Sequence, residues 1–269
     1  MKYQKKVLLM GGLGNKFFQV ARALELQRQS ISIELVYIDP KMMSLYKLGG
    51  HTIHPEWFDI LILGDKLNLH VRPITFIELL FLGIVFVCKK VGLPIRFNEA
   101  LDRASIIQPV LNKASWDVGY FQSRAHVSLD SLNEVADQLV KLLDVVKKDC
   151  RQLTYHIRGG DFDLKHRPQR NQIILITRLC ESQSLNLAVV TNDETWAKQL
   201  LGEIPYKICQ GESALDDFLE LASSRHLYLS NSTFSFWAAL VASRSHNATI
   251  YLPDNWSYSD LLIGSAQTW

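Results

Sequence analysis

LTYHIR (153–158), QIILITRLCES (172–182), LAVVT (187–191), ETWAKQLLG (194–202), YKIC (206–209), ALDDFLELASS (214–224), HLYLS (226–230), TFSFWAALVAS (233–243) and ATIYLP (248–253) follow one another in the second half of the chain. Short β-rich runs alternate with helical stretches four times before a last strand, the pattern of a parallel sheet with helices on both faces. A Rossmann-like domain is the expected fold of this half. Upstream, KVLLMGG (6–12) leads into GNKFFQVARALELQRQ (14–29), where Phe17, Ala21 and Leu24 share a helical face, and ISIELVYI (31–38) reads as the next strand. A second βαβ unit therefore begins the chain. Between the two, residues 127–148 space Leu132, Val135, Leu139, Leu142 and Val146 at threes and fours, a long amphipathic helix. The expected organisation is α/β with two Rossmann-type domains, 1–125 and 126–269.

Composition narrows the function. With 29 Lys+Arg against 27 Asp+Glu in 269 residues, and 48% of them hydrophobic, nothing demands a large basic surface, so nucleic acid is not an expected partner. Cys88, Cys150, Cys180 and Cys209 are widely spaced with no CxxC pair, which argues against a disulfide framework and a zinc knuckle. The apolar run VLLM before Gly11 is too short for the core of a signal peptide. A cytoplasmic location is expected, and the sequons at Asn231, Asn247 and Asn255 are then coincidental. One stretch, ITFIELLFLGIVFVC (74–88), is almost wholly apolar, yet its 15 residues fall short of the ~20 that span a bilayer. It reads as a buried or half-buried helix, with an interfacial helix at the membrane surface as the alternative.

Ligands of open α/β sheets bind beyond the carboxyl ends of the strands, so the residues after each strand carry the functional information. The first strand ends in Gly11-Gly12-Leu13-Gly14-Asn15, a glycine turn opening a helix, whose N–H groups suit a phosphate or a sugar hydroxyl. It lacks the Walker Lys-Ser/Thr ending and the last glycine of G-x-G-x-x-G, so an NTPase or a dinucleotide oxidoreductase fits poorly. LTYHIR ends in His156-Ile157-Arg158-Gly159-Gly160-Asp161; His156 and Arg158 share one side of the strand, and an arginine there can clamp a pyrophosphate with its fork of donors. An Arg158–Asp161 ion pair holding the turn is the structural alternative. Asp193, after LAVVT, can accept from a ligand or cap the next helix. Asn231-Ser232-Thr233-Phe234-Ser235, after HLYLS, gathers small polar groups at a strand-to-helix junction, as in a phosphate-binding turn or an N-cap.

Asp161-Phe162-Asp163 matches the DxD of metal-dependent sugar-nucleotide enzymes, although Arg158 already offers the neutralising charge. His51 and His54 lack a third metal ligand nearby, and the G-x-S-x-G nucleophile elbow is absent.

Read in order, GGLGNKFFQVARAL (11–24), GYFQS (119–123), HIRGGDF (156–162), TNDETW (191–196) and NSTFSFWAAL (231–240) resemble the five boxes of the bacterial alpha-1,2-fucosyltransferases. The resemblance reaches across most of the chain. It implies a GT-B-like pair of Rossmann-type domains, the first on the acceptor side and the second binding the donor. GDP-fucose would be that donor, the 2-hydroxyl of a galactoside the acceptor, transfer would invert the anomeric carbon, and neither cofactor nor obligatory metal would be needed. The implied setting is surface-polysaccharide (O-antigen) synthesis on a galactose-ending, lipid-linked glycan, with peripheral contact to the inner face of the bacterial membrane. By the same resemblance Arg158 binds the diphosphate, and His156 and Asp161 contact the donor or order the loop, Asp161 being the candidate base. Ser232 and Thr233 meet the phosphates beside Asn231. Gly12, Gly14 and Asn15 lie near the diphosphate or the sugar, Asp193 contacts the donor, and Asp217 faces the guanine.

Three positions depart from the family pattern: Gly159 replaces a frequent second arginine, Lys16 the usual glutamine, and Asn192 a common aspartate. Two other readings stay open: a metal-dependent transferase of another nucleotide sugar using Asp161 and Asp163, and a nucleotide-sugar binding protein without turnover.

Overall fold

The computed structural model describes residues 4–39, 57–90, 98–100, 114–145, 152–159, 170–253, 256–258, 261 and 267–268. The chain divides into two compact units, Met1–Val135 and Ala136–Trp269. Both are α/β with parallel sheets, so the expected pair of Rossmann-type folds is present.

The first unit runs β1 (Gln4–Leu9), α1 (Leu13–Arg28), β2 (Ser32–Tyr37), α2 (Trp57–Lys66), β3 (His70–Pro73), α3 (Phe76–Lys90), β4 (Asn98–Ala100), β5 (Ala114–Gly119) and the start of α4 (Leu129–Leu143). Its sheet has the order β3-β2-β1-β5-β4 with every described pairing parallel; Val7 stands between Leu35 and Asp117. Val7, Leu8, Leu35 and Val36 are all buried, which explains why β1 and β2 read as near-continuous apolar runs. Helix α1 is buried well beyond the face of Phe17, Ala21 and Leu24: Phe18, Val20, Leu26 and even Gln19 are inside. Gln19 lies there because its amide closes the ends of two strands, accepting from Met10 N (2.9 Å) and donating to Gly119 O (3.0 Å). Buried polar groups are tolerated when paired in this way. The opening turn of α4 is tied to α1 by Ser131, which meets Glu25 Oε2 at 2.9 Å and Arg28 Nη1 at 2.8 Å.

The second unit runs β6 (Gln152–Ile157), α5 (Arg170–Gln183), β7 (Asn186–Thr191), α6 (Glu194–Leu201), β8 (Lys207–Ile208), α7 (Ala214–Ala222), β9 (His226–Tyr228), α8 (Thr233–His246), β10 (Thr249–Leu252) and β11 (Gln267–Thr268). The sheet order is β11-β10-β9-β6-β7-β8, again parallel throughout the described pairings. Leu153, Tyr155, Ile157, Leu187 and Val189 build the core with Ile173 and Ile176 of α5. Residues 235–242 of α8 are buried without interruption, as a helix apolar on all sides must be. That helix ends on Asn247, whose left-handed φ of 53° suits an asparagine C-cap.

Each sheet is built outward from its first strand and then resumed on that strand's other side. The reversals fall between β1 and β5 in the first unit and between β6 and β9 in the second. Such switch points splay the connecting loops apart and open a crevice at the carboxyl ends of the strands.

Candidate functional site

At the switch point of the second unit, His156 is the penultimate residue of β6 and Ser230 lies two residues beyond β9. Their side chains meet, Ser230 Oγ to His156 Nδ1, at 2.7 Å. The hydroxyl of Ser235 in α8 donates to Ser230 O (2.7 Å), and the rings of His156 and Phe234 lie 5.5 Å apart. His156 is 4% exposed, and burial, reinforced by the charge of Arg158, pushes its pKa down to about 3. A neutral imidazole with Nδ1 occupied leaves Nε2 as the ring nitrogen for a ligand.

Because the unfolded histidine titrates near 6.5, the unfolded chain binds the extra proton between about pH 6.5 and 3. Stability is therefore complete above pH 6.5 and declines as the pH falls towards 3, with a limiting slope of about 1.4 kcal/mol per pH unit. Denaturant titrations at pH 7.5 and 5 should show that decline in the wild type and a flatter profile in His156→Gln. Ser230→Ala should cost about 1–3 kcal/mol in the same titrations by stranding a buried ring nitrogen.

The loops around this pair are locked by short-range hydrogen bonds. Ser232 caps α8, its Oγ accepting from Phe234 N at 3.2 Å, which leaves the hydroxyl proton for another acceptor. Asn231 donates from Nδ2 to Ser257 Oγ (2.8 Å) and accepts from Ser257 N (2.9 Å), tying the turn to the 256–258 segment. Thr233, half-buried, opens α8 beside them. On the other side of β6, Gly159 N donates to Asn192 Oδ1 (2.9 Å), and Asp193 caps α6 by accepting from Trp196 N (3.0 Å). A Cβ on Gly159 would lie 2.7 Å from Asp193 Cβ and 2.9 Å from its Oδ2, so this position has room only for glycine.

Asp217 lies in the first turn of α7, the helix that follows β8 and packs against α8, β6 and β7, where its neighbour Phe218 meets the ring of Phe234 at 5.6 Å. Asp217 accepts from Gly211 N at 2.8 Å, and burial raises its pKa.

The other sequence-nominated residues belong to the first unit, at the β1/β5 switch point. Gly11 turns with φ +76°, and a Cβ there would stand 2.6 Å from Asn15 Nδ2 and 3.1 Å from Tyr120 Cε1. Gly12 is the extended N-cap of α1, and the space where its Cβ would be is open; Gly14 is buried in the helix. Asn15 Oδ1 accepts from Gln122 Nε2 at 2.8 Å. GGLGN and GYFQS, more than 100 residues apart in sequence, are thus one structural group.

The structure therefore gathers His156, Arg158, Asp193, Asn231, Ser232 and Thr233 around three adjacent strands, and Gly12, Gly14 and Asn15 at the other unit's switch point. Asp161, with the rest of the DxD, and His51 and His54 lie outside the described residues. Among the described residues no group of three His, Cys, Asp or Glu is placed to hold a metal. Ser230, Gln19 and Gln122 were not singled out from sequence. The strand-end rule could have found Ser230, the last residue of HLYLS, whereas nothing local marks Gln19.

Residues 110–265, more than half of the chain, match the family described as glycosyl transferase family 11. No curated protein is significantly similar in sequence. Among solved structures, the E. coli heptosyltransferase WaaC with ADP aligns with a TM-score of 0.47 at 9% identity, over 98% of this chain and 92% of its own. A glycosyl transferase family 9 protein from Veillonella parvula gives 0.46 at 10%, over 100% and 87%. Arabidopsis thaliana FUT1 in complex with GDP gives 0.45 at 13%, over 95% and 72%. Since the family match takes in four of the five boxes and most of the sequence, the chain belongs to glycosyl transferase family 11, the family of the galactoside alpha-1,2-fucosyltransferases.

Proposed function

We propose that this enzyme moves L-fucose from GDP-fucose to the 2-hydroxyl of a galactose-ending glycan, with inversion, during assembly of a surface polysaccharide such as O-antigen on a lipid carrier. The observation that supports this best is the switch point of the second unit, where Ser230 holds a neutral His156 next to Arg158. In this reading the second unit binds the donor and the first serves the acceptor side, the division of labour in a GT-B enzyme. The setting is cytoplasmic.

Cleavage of the sugar–phosphate bond leaves positive charge on the fucosyl ring and negative charge on departing GDP. Donors already aimed at the diphosphate lower that barrier without reorganising. Arg158 supplies a full charge, and Ser232, Thr233 and the N-terminus of α8 supply hydrogen bonds. Asn231 fixes their turn and Asn192 holds Gly159 N, while in this reading His156 offers Nε2 to the donor and Asp193 contacts it. In the same reading Asp217 faces the guanine ring, the role that the family resemblance implies for it. The acceptor oxygen bonds to the anomeric carbon on the face opposite GDP as the carbon–phosphate oxygen bond breaks. Its proton passes to a base, for which Asp161 is the candidate.

Calorimetric titration with GDP-fucose, GDP-mannose and UDP-galactose, with and without EDTA, tests the reading. Selective binding of GDP-fucose, unaffected by EDTA, is the expected result. Preference for another donor, or a requirement for metal, would favour the enzyme built on Asp161 and Asp163. Tight binding of GDP-fucose with no GDP release in the presence of any galactoside would favour a binding protein.

A further inference from the structure

Helix α3 is fastened to its unit by charge and turns hydrocarbon towards the solvent, the reverse of an ordinary surface helix. Glu78 in its first turn accepts from Lys6 Nζ (2.6 Å), from Arg72 Nη2 (2.7 Å) and Nη1 (2.9 Å), and from Thr75 N (2.9 Å). Arg72 also reaches Glu34 at 2.8 Å, so the cluster bolts the helix to β1, β2 and β3. Leu79 and Leu82 complete the buried side, with Ile74 just ahead of the helix. On the far side Phe76 is 61% exposed, Ile77 78%, Leu80 56% and Ile84 54%. At about 100° per residue those four positions fall within a single arc of roughly 100°. Only two other large apolar side chains among the described residues, Leu129 and Ile174, are comparably exposed, so the exposure is concentrated here.

Size and charge decide what covers this face. Four such side chains at these exposures leave on the order of 400–500 Å² of carbon, well below the roughly 800 Å² per partner of a stable protein interface. The only charged residues of α3 are Glu78, whose carboxylate is already answered by two cations, and Lys89 and Lys90 in its last turn. By sequence, then, the helix carries one carboxylate, already answered, and two lysines, a balance that suits an anionic surface better than a cationic one. No described helix is long and apolar enough to cross a membrane, which leaves α3 lying in the plane of an interface.

We propose that α3 docks the enzyme on an anionic phospholipid surface, with Phe76, Ile77, Leu80 and Ile84 inserted at the boundary between headgroups and acyl chains. Docking would keep the enzyme where a lipid-linked acceptor is presented; that consequence rests on the function proposed above, but the docking itself does not.

Co-sedimentation of the full chain with vesicles of phosphatidylethanolamine and phosphatidylglycerol tests it. The wild type should bind, and bind several-fold more weakly to phosphatidylcholine vesicles. The double variant Ile77→Ser/Leu80→Ser should lose roughly ten-fold or more in partitioning while keeping its melting temperature and its GDP-fucose titration. Hydrogen exchange on the unmodified protein gives a reading free of folding effects: vesicles should protect the amides of residues 76–84. The proposal fails if the wild type ignores anionic vesicles, if the variant sediments with them equally well, or if residues 76–84 are protected without lipid in a dimer seen by sedimentation velocity. Loss of GDP-fucose binding by a wild type that still docks would overturn the transferase reading alone.

Discussion

Arg158→Ala is expected to lower fucosyl transfer by roughly a thousand-fold or more, measured as kcat/KM for GDP release with a galactoside acceptor, while the protein stays folded. Arg158 is half-buried directly after β6, and its charge already helps to hold His156 neutral. Gly159 adds no second cation at the next position, so in the proposed function Arg158 is the charge assigned to the departing diphosphate. Arg158→Lys should recover only part of the rate, since an ammonium lacks the planar fork that grips two oxygens. The same alanine variant should raise the pKa of His156, visible by NMR, because one of the two causes of its depression has gone. Turnover at the wild-type rate would exclude the assigned role.

Restoring the arginine that relatives often carry after the first is expected to harm this protein. Gly159→Arg, and even Gly159→Ala, places a Cβ 2.7 Å from Asp193 Cβ and 2.9 Å from its carboxylate. Asp193 has no room to yield: its carboxylate caps α6 through Trp196 N and its own N–H donates to Thr191 Oγ1 at 3.0 Å. Overpacking together with a weakened cap should cost about 2–3 kcal/mol, a fall of about 5–10 °C in melting temperature. Asp193→Gly in the Gly159→Ala background removes the obstructing atoms. Part of the loss should return, so that the two changes together cost less than their sum. Additive losses in thermal melts would show that the contact does not limit this position.

Wherever structure is local, it was readable in advance. Strands β1, β2, β6, β7, β9 and β10 show in their own residues as short apolar runs, α1 and α4 to α7 as helical spacing of apolar residues, and α8 as an apolar stretch too long for a strand. Glycines at 11 and 12 and the order of the five boxes likewise belong to the linear sequence, as does the family resemblance they carry. Strands β3 and β4 and helix α2 had no such signature, being short or irregular in pattern.

Tertiary structure alone decided which strand ends are neighbours. The bond between His156 and Ser230 spans 74 residues, that between Gln122 and Asn15 spans 107, and that between Gln19 and Gly119 spans 100. None exists until crossover connections return the chain to the other side of β1 and β6, and no periodicity encodes that return. Asp193 likewise reads as a cap from sequence, but only the fold shows its carboxylate closing the space beside Gly159. The apolar run of α3 makes the same point from the other direction. Hydropathy records what those side chains lose in water; whether core, partner or lipid replaces that water depends on the face that Glu78, Arg72 and Lys6 bolt down.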